Sequence, residues 1–304
     1  MIGMLDITVV ILTFNEEIHI ERCLQNVNGF AKKVYVIDSL STDKTVEIAE
    51  RLGAIVVPHA WPGNQAAQFN WALDHIQIDT EWVLRLDADE YITPELEEEL
   101  KVKVPHLKRD VSAIVYPLGR AFMGRVLKHG IVNGIKMIRM FRYGKVRYEQ
   151  RLMDEHLQVL EGETITFEHK FVDDNRNSIK YFVDKHNNYS SREAALLLDA
   201  EYGLIDTNSE SYSAEYCKEI QAKRAQKQKY ANMPLFWRAF GYFCYRYIFK
   251  LGFLDGKEGF LWDFLQGWWY RTLVDAKIFE IKKVCGNDPE KIKQYLKAEY
   301  HIEL

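Results

Sequence analysis

The sequence of 304 residues has few of the features that mark several common protein classes. Four cysteines lie far apart and form no C-x-x-C pair, which argues against a zinc site or a disulfide scaffold and fits a reducing compartment. The net charge of -4 leaves no overall basic field, so nucleic acid is not an expected partner. No run of about eighteen uncharged apolar residues occurs, so a membrane-spanning helix is not expected.

The glycine-rich motifs that bind nucleotide phosphates are also missing. No G-x-G-x-x-G follows the first apolar run and no G-x-x-x-x-G-K-[ST] occurs, so neither a dinucleotide fold nor a P-loop is supported. A nucleotide phosphate in this protein would therefore be handled by a metal ion. Because 47% of the residues are hydrophobic, the chain can bury a large core, and its length suits one catalytic domain with an appendage.

Strand-like and helix-like segments alternate through the first hundred residues. Asn15 is expected to cap the first helix, and Ser41 or Thr42 the second. The alternation predicts an α/β fold with a largely parallel, doubly wound sheet, in which ligands lie at the carboxyl ends of the strands. The predicted strands cover residues 7–13, 34–37, 54–57 and 82–86, and polar clusters follow the first, second and fourth.

The polar cluster after the fourth strand contains two carboxylates separated by one residue. Asp87 and Asp89 project to the same side of an extended chain, so they can share a divalent cation or divide a cation and a hydroxyl-rich ligand. The ordinary alternative is a polar strand end or turn. Since three polar clusters are predicted at one edge of the sheet, a ligand site is the favoured interpretation.

Three segments together resemble the signatures of family 2 inverting glycosyltransferases with the GT-A fold. They are VVILTFNEE, VIDSLSTDKTVEIA and LRLDADE, and the likeness covers about residues 5 to 170. Within that family the chain is most similar to bacterial enzymes of lipopolysaccharide core, capsule and exopolysaccharide assembly, including the lipopolysaccharide core β-1,4-glucosyltransferase type. The resemblance implies a nucleotide-sugar donor, a divalent cation (Mg2+ or Mn2+), and a saccharide or lipid-linked acceptor.

The resemblance implies that the first two polar clusters bind the nucleotide. Thr13, Asn15 and Glu16 would line its pocket, and Asp38 would recognise the base, usually the uracil of a UDP-sugar. The alternatives are that Thr13 only ends a strand, Asn15 only caps a helix and Asp38 only belongs to a turn.

The same resemblance assigns the metal. Asp87 would face the ribose or a metal-bound water, and Asp89 would ligate the cation on the diphosphate. His169 is a further candidate ligand, although a strand histidine bonded to the backbone is equally ordinary. Many relatives carry an arginine in the helix before the fourth strand, whereas this chain has Gln65, Gln68 and Asn70, so Gln68 is a candidate for donor binding.

Inverting sugar transfer also needs a base that takes the proton of the acceptor hydroxyl. The segment LMDEHL follows a strand-like run at residues 136–142, where the family places its acceptor-side acid. Alignment on the related enzymes puts Glu155 at the usual base, with Asp154 as the close alternative. A solvated turn with a buried His156 is the competing interpretation. Acceptor choice would depend on the loop around residues 118 to 135.

The strand pattern stops after about Asp174, which predicts a catalytic domain at residues 1–174 and a helical extension at 175–304. Residues 234–276 alternate aromatic side chains with basic ones such as Arg238, Arg246 and Lys250, a pattern typical of an interfacial membrane element whose basic side chains reach anionic lipid. A helical subdomain that packs on protein and forms a homo-oligomer is the alternative. We therefore expect a cytoplasmic protein, peripheral at the inner face of the cell membrane.

Other functions are possible for an Asp-x-Asp motif. A calcium-binding loop fits DADEYITPELEE poorly, because Ile92 replaces the required glycine and Tyr91 is no ligand. A glycoside hydrolase that uses paired carboxylates, and a nucleotidyltransferase that uses the same aspartates on a nucleoside triphosphate, remain alternatives to the glycosyltransferase.

Overall fold

The computed structural model describes residues 4–132, 134–149, 156–204, 230 and 232–303. The chain divides into two compact units, Met1–Lys128 with Val132–Arg176, and His129–Ile131 with Asn177–Leu304. The division after Arg176 lies next to the boundary expected at residue 174. Residues 129–131, however, belong to the second unit although they lie in the middle of the first in sequence.

The described part of the first unit contains twelve strands and four α-helices. The strands are β1 Leu5–Thr13, β2 Ala31–Asp38, β3 Ile55–Pro58, β4 Trp82–Asp87, β5 Glu90–Ile92, β6 Val111–Phe122, β7 Arg125–Leu127, β8 Lys136–Arg142, β9 Val146–Tyr148, β10 Leu157–Val159, β11 Glu163–Thr166 and β12 Phe171–Asp173. The helices are α1 Ile20–Val27, α2 Thr45–Arg51, α3 Gln65–His75 and α4 Pro94–Lys103.

The main sheet has the strand order β3-β2-β1-β4-β8-β6-β12-β5, with β7 and β11 also paired to β6. The first four strands of this order run parallel, whereas β8 runs antiparallel to both β4 and β6. The central strand β1 is buried on both faces, as its near-continuous apolar run LDITVVILT predicts. The expected α/β fold is confirmed, and the antiparallel pairs of β8 make its sheet a mixed one.

Three local expectations for the first unit are wrong. Helix α1 begins at Ile20 and not at Asn15, whose φ of 55° is left-handed. Helix α2 begins at Thr45, beyond Ser41 and Thr42, because the loop after β2 is held by longer-range hydrogen bonds. The supposed loop at residues 118–135 begins as a hairpin in which β6 pairs with β7.

The described part of the second unit is helical, which confirms the predicted helical extension. Its core forms where α5 packs against α8, around Leu198, Ile278 and Ile281. No helix in the described ranges is both long and apolar enough to span a membrane. The helices are α5 Ile179–Tyr202, α6 Trp237–Cys244 with a π-helical continuation Tyr245–Phe249, α7 Gly256–Trp262 with a π-helical continuation Asp263–Trp269, α8 Tyr270–Cys285 and α9 Pro289–Tyr300.

Candidate functional site

The carboxyl ends of β1, β2 and β4 lie side by side. In the sheet register Thr13 pairs with Asp38, and the neighbouring Leu12 pairs with Asp87. Three polar clusters that are distant in sequence are therefore brought to one edge of the sheet, as the alternating pattern predicted.

Asp38 is the centre of a buried hydrogen-bond cluster at this edge. Its Oδ1 accepts from Thr13 Oγ1 at 2.9 Å and from Ser41 Oγ at 2.6 Å, and its Oδ2 accepts from the Ser41 backbone N–H at 2.7 Å. Thr13 and Asp38 are only 4% and 2% exposed. The carboxylate of Asp38 therefore ties the end of β1 to the loop that follows β2.

Asn15 continues this network toward solvent. Its backbone N–H donates to Ser41 Oγ at 2.8 Å, and its Oδ1 accepts from the Thr42 backbone N–H at 2.8 Å. Asparagine tolerates the left-handed conformation that this position adopts, since its short polar side chain bonds locally. The two loops at the edge are thereby held together, with Asn15 at their exposed side.

Glu16 forms a second connection. Its backbone N–H donates to Thr45 Oγ1 at 2.7 Å, which fixes the start of α2. Its Oε2 lies 2.6 Å from His19 Nδ1, and His19 Nε2 accepts from the Arg176 backbone N–H at 2.9 Å. Because Nε2 is the acceptor, Nδ1 carries the proton and donates to Glu16. Glu16 is thus committed to a buried histidine and only partly available to a ligand.

Helix α3 contributes two glutamines with different surroundings. Gln68 is fully buried: its Oε1 lies 2.6 Å from His59 Nδ1, and its Nε2 donates to Ser39 Oγ at 3.2 Å. Its side chain therefore supports the segment after β2 from inside the protein. Gln65 instead reaches the strand edge, where its Nε2 donates to Asp87 Oδ1 at 3.1 Å.

Asp87 is flanked by two arginines. Its Oδ1 accepts from Arg85 Nη2 at 2.8 Å, and its Oδ2 lies 3.2 Å from Arg139 Nη2. Arg85 also donates to the hydroxyl of Tyr148 at the end of β9. Both guanidinium groups are buried, so their charges act on Asp87 through little water. The negative charge of Asp87 is thereby largely offset within the protein.

A buried ion pair lies beneath Asp87. Arg139 donates to Glu90 Oε1, and Glu90 Oε2 accepts from the Asp87 backbone N–H at 3.0 Å. Burial raises the pKa of Glu90 to about 8, and the charge of Arg139 opposes that rise. The Arg139 guanidinium also lies 5.2 Å from the centre of the Phe171 ring. The pair fixes the β4–β5 turn that carries Asp89.

Asp89 differs from Asp87 in having an available carboxylate. Its backbone carbonyl accepts from Arg22 Nη2 at 3.0 Å and from the Asp174 backbone N–H at 2.9 Å, so its main chain is fixed. Its carboxylate accepts from Asn175 Nδ2 at 2.9 Å through Oδ2. Among the described residues Oδ1 has no hydrogen-bond partner, and the residue is partly exposed. Of the two aspartates, Asp89 is therefore the better cation ligand.

His169 is bound to a different carboxylate. Its Nδ1 lies 3.0 Å from Glu99 Oε2, and its backbone N–H donates to the same oxygen at 2.9 Å. Burial would raise the pKa of Glu99, but Lys103 and these N–H groups outweigh it and lower the pKa to about 2. The described ranges contain no group of three or more His, Cys, Asp or Glu that could hold a metal ion. His169 is thus not gathered with Asp87 and Asp89.

The two predicted base candidates, Asp154 and Glu155, lie outside the described residues. The strands on either side of them, β9 and β10, pair antiparallel, with Tyr148 opposite Leu157. The Tyr148 hydroxyl bonds Arg85, which in turn bonds Asp87. The strand that precedes the candidates is therefore linked to the Asp87 cluster.

Sequence reasoning missed Arg85 and Arg139, although a signal was present. Each arginine interrupts an otherwise apolar strand, LRL in β4 and IRM in β8, at a position that the sheet buries. A buried arginine needs a carboxylate partner. The pattern alone did not show which carboxylates would pair with these arginines, because Arg139 and Glu90, for example, are 49 residues apart in sequence.

Comparison with known proteins agrees with this architecture. The model of glycosyl transferase family 2 matches residues 8–167, which is more than half of the chain. The chain belongs to glycosyl transferase family 2. A Rickettsia bellii glycosyltransferase of uncharacterised activity is 29% identical over 301 residues, covering 98% of this chain and 93% of the relative. A Rickettsia conorii glycosyltransferase, also uncharacterised, is 41% identical over 95 residues, 31% of this chain and 33% of the relative.

Solved structures similar to this family 2 chain match only part of it. Glucosyl-3-phosphoglycerate synthase from Mycobacterium tuberculosis, solved with Mn2+, UDP and glucosyl-3-phosphoglycerate, gives a TM-score of 0.32 at 22% identity, covering 37% of this chain and 43% of that one. Mannosyl-3-phosphoglycerate synthase from Rubrobacter xylanophilus gives a TM-score of 0.33 at 18% identity, covering 38% of this chain and 41% of that one. The family match makes the protein a glycosyltransferase with a GT-A type α/β fold, as the sequence motifs indicated.

Proposed function

We propose that this family 2 glycosyltransferase moves a sugar, with inversion, from a UDP-sugar to a saccharide or lipid-linked acceptor in the assembly of bacterial lipopolysaccharide or another cell-surface polysaccharide. The observation that carries the proposal is the alignment of Thr13, Asp38 and Asp87 at adjacent strand ends. In an α/β sheet this edge is where a nucleotide is bound.

The nucleotide is proposed to lie over the loops after β1 and β2. Asp38 is nearly buried, so it acts mainly by fixing Thr13 and Ser41, and through Ser41 it fixes Asn15. Asn15 stands at the exposed side of this network and is proposed to contact the nucleotide directly. Asp87 is proposed to orient the ribose or a metal-bound water. Gln65 reaches Asp87 from α3 and is a better candidate for donor contact than the buried Gln68.

The side chains at the strand edge fit a divalent cation held jointly with the donor. Mg2+ is usually bound by one or two carboxylates, and the substrate phosphates and water complete its ligands. The available carboxylate of Asp89 suits such a site, and Mn2+ accepts the same oxygen ligands. When bound, the cation would stabilise the charge on the departing diphosphate. His169 is not included among the proposed cation ligands, because its ring is bonded to Glu99.

The base that takes the proton of the acceptor hydroxyl is proposed to be Glu155, with Asp154 as the alternative. Inversion requires this base on the face of the sugar opposite the diphosphate, so it must come from a segment other than the β4 end. The proposal for Glu155 is supported by the strand that precedes it, since β9 is linked through Tyr148 and Arg85 to Asp87. The acceptor is proposed to be reached at the inner face of the cell membrane, through residues 234–276.

Product analysis tests the proposed reaction. The purified chain is incubated with a panel of nucleotide sugars, a lipid-linked saccharide extract, and Mg2+ or Mn2+. We expect release of nucleoside diphosphate and a glycosidic product of inverted anomeric configuration, both lost in Asp89→Asn. Release of pyrophosphate from a nucleoside triphosphate would support a nucleotidyltransferase instead, and free sugar released from an oligosaccharide would support a glycoside hydrolase.

A further inference from the structure

Exposed apolar side chains are concentrated in one short segment of the second unit. Of the 27 large hydrophobic side chains that are exposed in the described chain, eleven lie between residues 233 and 260. Isolated exposed apolar residues are normal, but such a concentration marks an interaction surface. The eleven are Met233, Phe236, Trp237, Phe240, Tyr245, Ile248, Phe249, Leu251, Phe253, Leu254 and Phe260.

Ring contacts connect four of the seven exposed aromatic side chains of this set, Trp237, Phe240, Phe253 and Phe260, through three partly buried rings. Tyr247 contacts Phe253 and Phe260, with ring centres 6.1 and 5.6 Å apart. Phe264 follows Phe260 at 6.0 Å, and Trp268 follows Phe264 at 5.8 Å. Trp268 then contacts Phe240, which contacts Trp237. The chain of rings therefore runs from α6 across α7 and its continuation.

The arginines of this segment do not reach solvent. Arg238 donates to Asp275 Oδ1 at 2.8 Å, and Arg246 donates to Asp263 Oδ1 at 2.8 Å, with all four side chains at most 8% exposed. The expectation that Arg238 and Arg246 extend to anionic lipid is wrong. Their charges are satisfied by buried aspartates and contribute to the internal structure of the unit instead.

Pairing of the arginines leaves a simple charge pattern at the surface. Between residues 237 and 260, all of which are described, the exposed charged side chains are Lys250 and Lys257. Asp255 is buried and accepts from the His129 backbone N–H at 2.7 Å, and Glu258 is partly buried. The exposed face thus combines apolar side chains with positive charge, which complements an anionic bilayer.

The tip of this surface, Ile248–Leu254, is held in place by contacts within the second unit. Leu251 has a left-handed backbone with φ of 60°, which is strained for a branched side chain and persists only where neighbours enforce it. A Cβ on Gly252 would lie 1.9 Å from Asp263 Oδ2, so the turn packs directly on the buried ion pair. The Lys250 carbonyl accepts from the Gly130 backbone N–H at 2.8 Å. The Arg246–Asp263 pair thereby positions the exposed residues.

We propose that the tip Ile248–Leu254 inserts into the interfacial region of an anionic bilayer, with Lys250 and Lys257 at the headgroups. The proposal limits the membrane contact to this tip. It rests on the proposed peripheral location of the protein and not on the sugar-transfer chemistry. Residues 129–131 are hydrogen-bonded to this tip through Gly130 and Lys250. They lie in the region expected to determine acceptor choice. Docking would therefore bring part of that region to the bilayer surface.

Cosedimentation with liposomes tests whether this tip binds a bilayer. The full chain is mixed with vesicles of phosphatidylcholine alone or with about a third phosphatidylglycerol, at low and high salt. We expect binding to the anionic vesicles, weakened by salt because the lysine contribution is screened. The variant Phe249→Ser/Leu254→Ser should reduce the partition coefficient by at least about tenfold, since two exposed apolar side chains are removed from the contact. Lys250→Glu should reduce binding to anionic vesicles alone.

The matched control is Val284→Ser, which removes an exposed apolar side chain, 61% accessible, from α8 outside this surface. It should change the partition coefficient by less than about twofold, since its side chain makes no bilayer contact. Unbound wild-type protein at low salt, or equal binding by the double variant and wild type, would overturn the proposal. A wild-type dimer that the double variant dissociates, without vesicle binding, would assign the surface to a second copy. UDP binding by each variant, measured in parallel, shows whether the nucleotide site is unaffected.

Discussion

Replacement of Arg139 by methionine should destabilise the protein strongly and in a pH-dependent way. The Arg139 and Glu90 side chains are 4% and 2% exposed, so loss of the guanidinium leaves a carboxyl group buried without its cation. Where Glu90 is ionised, breaking such a pair costs about 3–5 kcal/mol, a large part of the free energy of unfolding of a typical domain. Methionine fills much of the same space, so little of this loss comes from a cavity.

The pH dependence follows from the pKa of Glu90. Burial raises that pKa to about 8 from 4.5, so the stabilising contribution of the protonated group is complete below pH 4.5 and is lost as the pH rises through 8. The positive charge of Arg139 limits the rise in pKa. Without it the folded-state pKa of Glu90 rises further, so the variant continues to lose stability above pH 8. The difference from wild type should therefore widen between pH 7 and pH 9.

Urea unfolding followed by circular dichroism at pH 7 and pH 9 measures both effects. The double variant Arg139→Met/Glu90→Gln should recover a large part of the loss at pH 9, because the carboxyl group that would be ionised without its cation is also removed. The matched control is Arg147→Met, which breaks the exposed Arg147–Asp74 pair, 39% and 49% accessible, and should cost less than about 1 kcal/mol. The prediction would be wrong if Arg139→Met lost as little free energy of unfolding as the control, or if its loss became smaller toward pH 9.

Two further predictions concern the nucleotide and the base. Asp38→Ala should weaken UDP and UDP-sugar binding equally, measured by calorimetry, because it releases the loop that carries Asn15; an effect on the sugar nucleotide alone would contradict the assignment. Glu155→Gln should keep donor binding while transfer falls by about two to four orders of magnitude in a product assay, since a proton acceptor is removed. Near-normal transfer would indicate that Asp154, and not Glu155, is the base.

The sequence predicted the sheet and its ligand edge well for a physical reason. Apolar runs such as that of β1 specify strands buried on both faces, and alternation with helices specifies parallel order, so the strand ends must meet. Thr13, Asp38 and Asp87 follow directly from that rule. The side-chain partners do not follow from it, because they depend on which strands become neighbours. The pairing of Arg139 on β8 with Glu90 on β5 is one example.

The same limit explains the errors in the second unit and at Asn15. Arg238 and Arg246 stand among aromatic residues in sequence, and only the folded unit brings Asp275 and Asp263, 37 and 17 residues away, against them. Asn15 has the residue type of a helix cap, but its side-chain Oδ1 accepts a hydrogen bond from the Thr42 backbone N–H in the next loop. In each case a tertiary contact overrides the local pattern.

We propose that Asp89 and the neighbouring strand ends bind a metal together with the nucleotide. Calorimetric titration of UDP into wild type and Asp89→Asn, with Mn2+ or with chelator, measures this linkage. We expect Mn2+ to tighten UDP binding to wild type by at least about tenfold, because the cation links diphosphate to carboxylate. Asp89→Asn, with an unchanged melting temperature, should bind UDP equally with Mn2+ and with chelator. A variant that keeps the full effect of Mn2+ would contradict the assignment of Asp89 as the metal ligand.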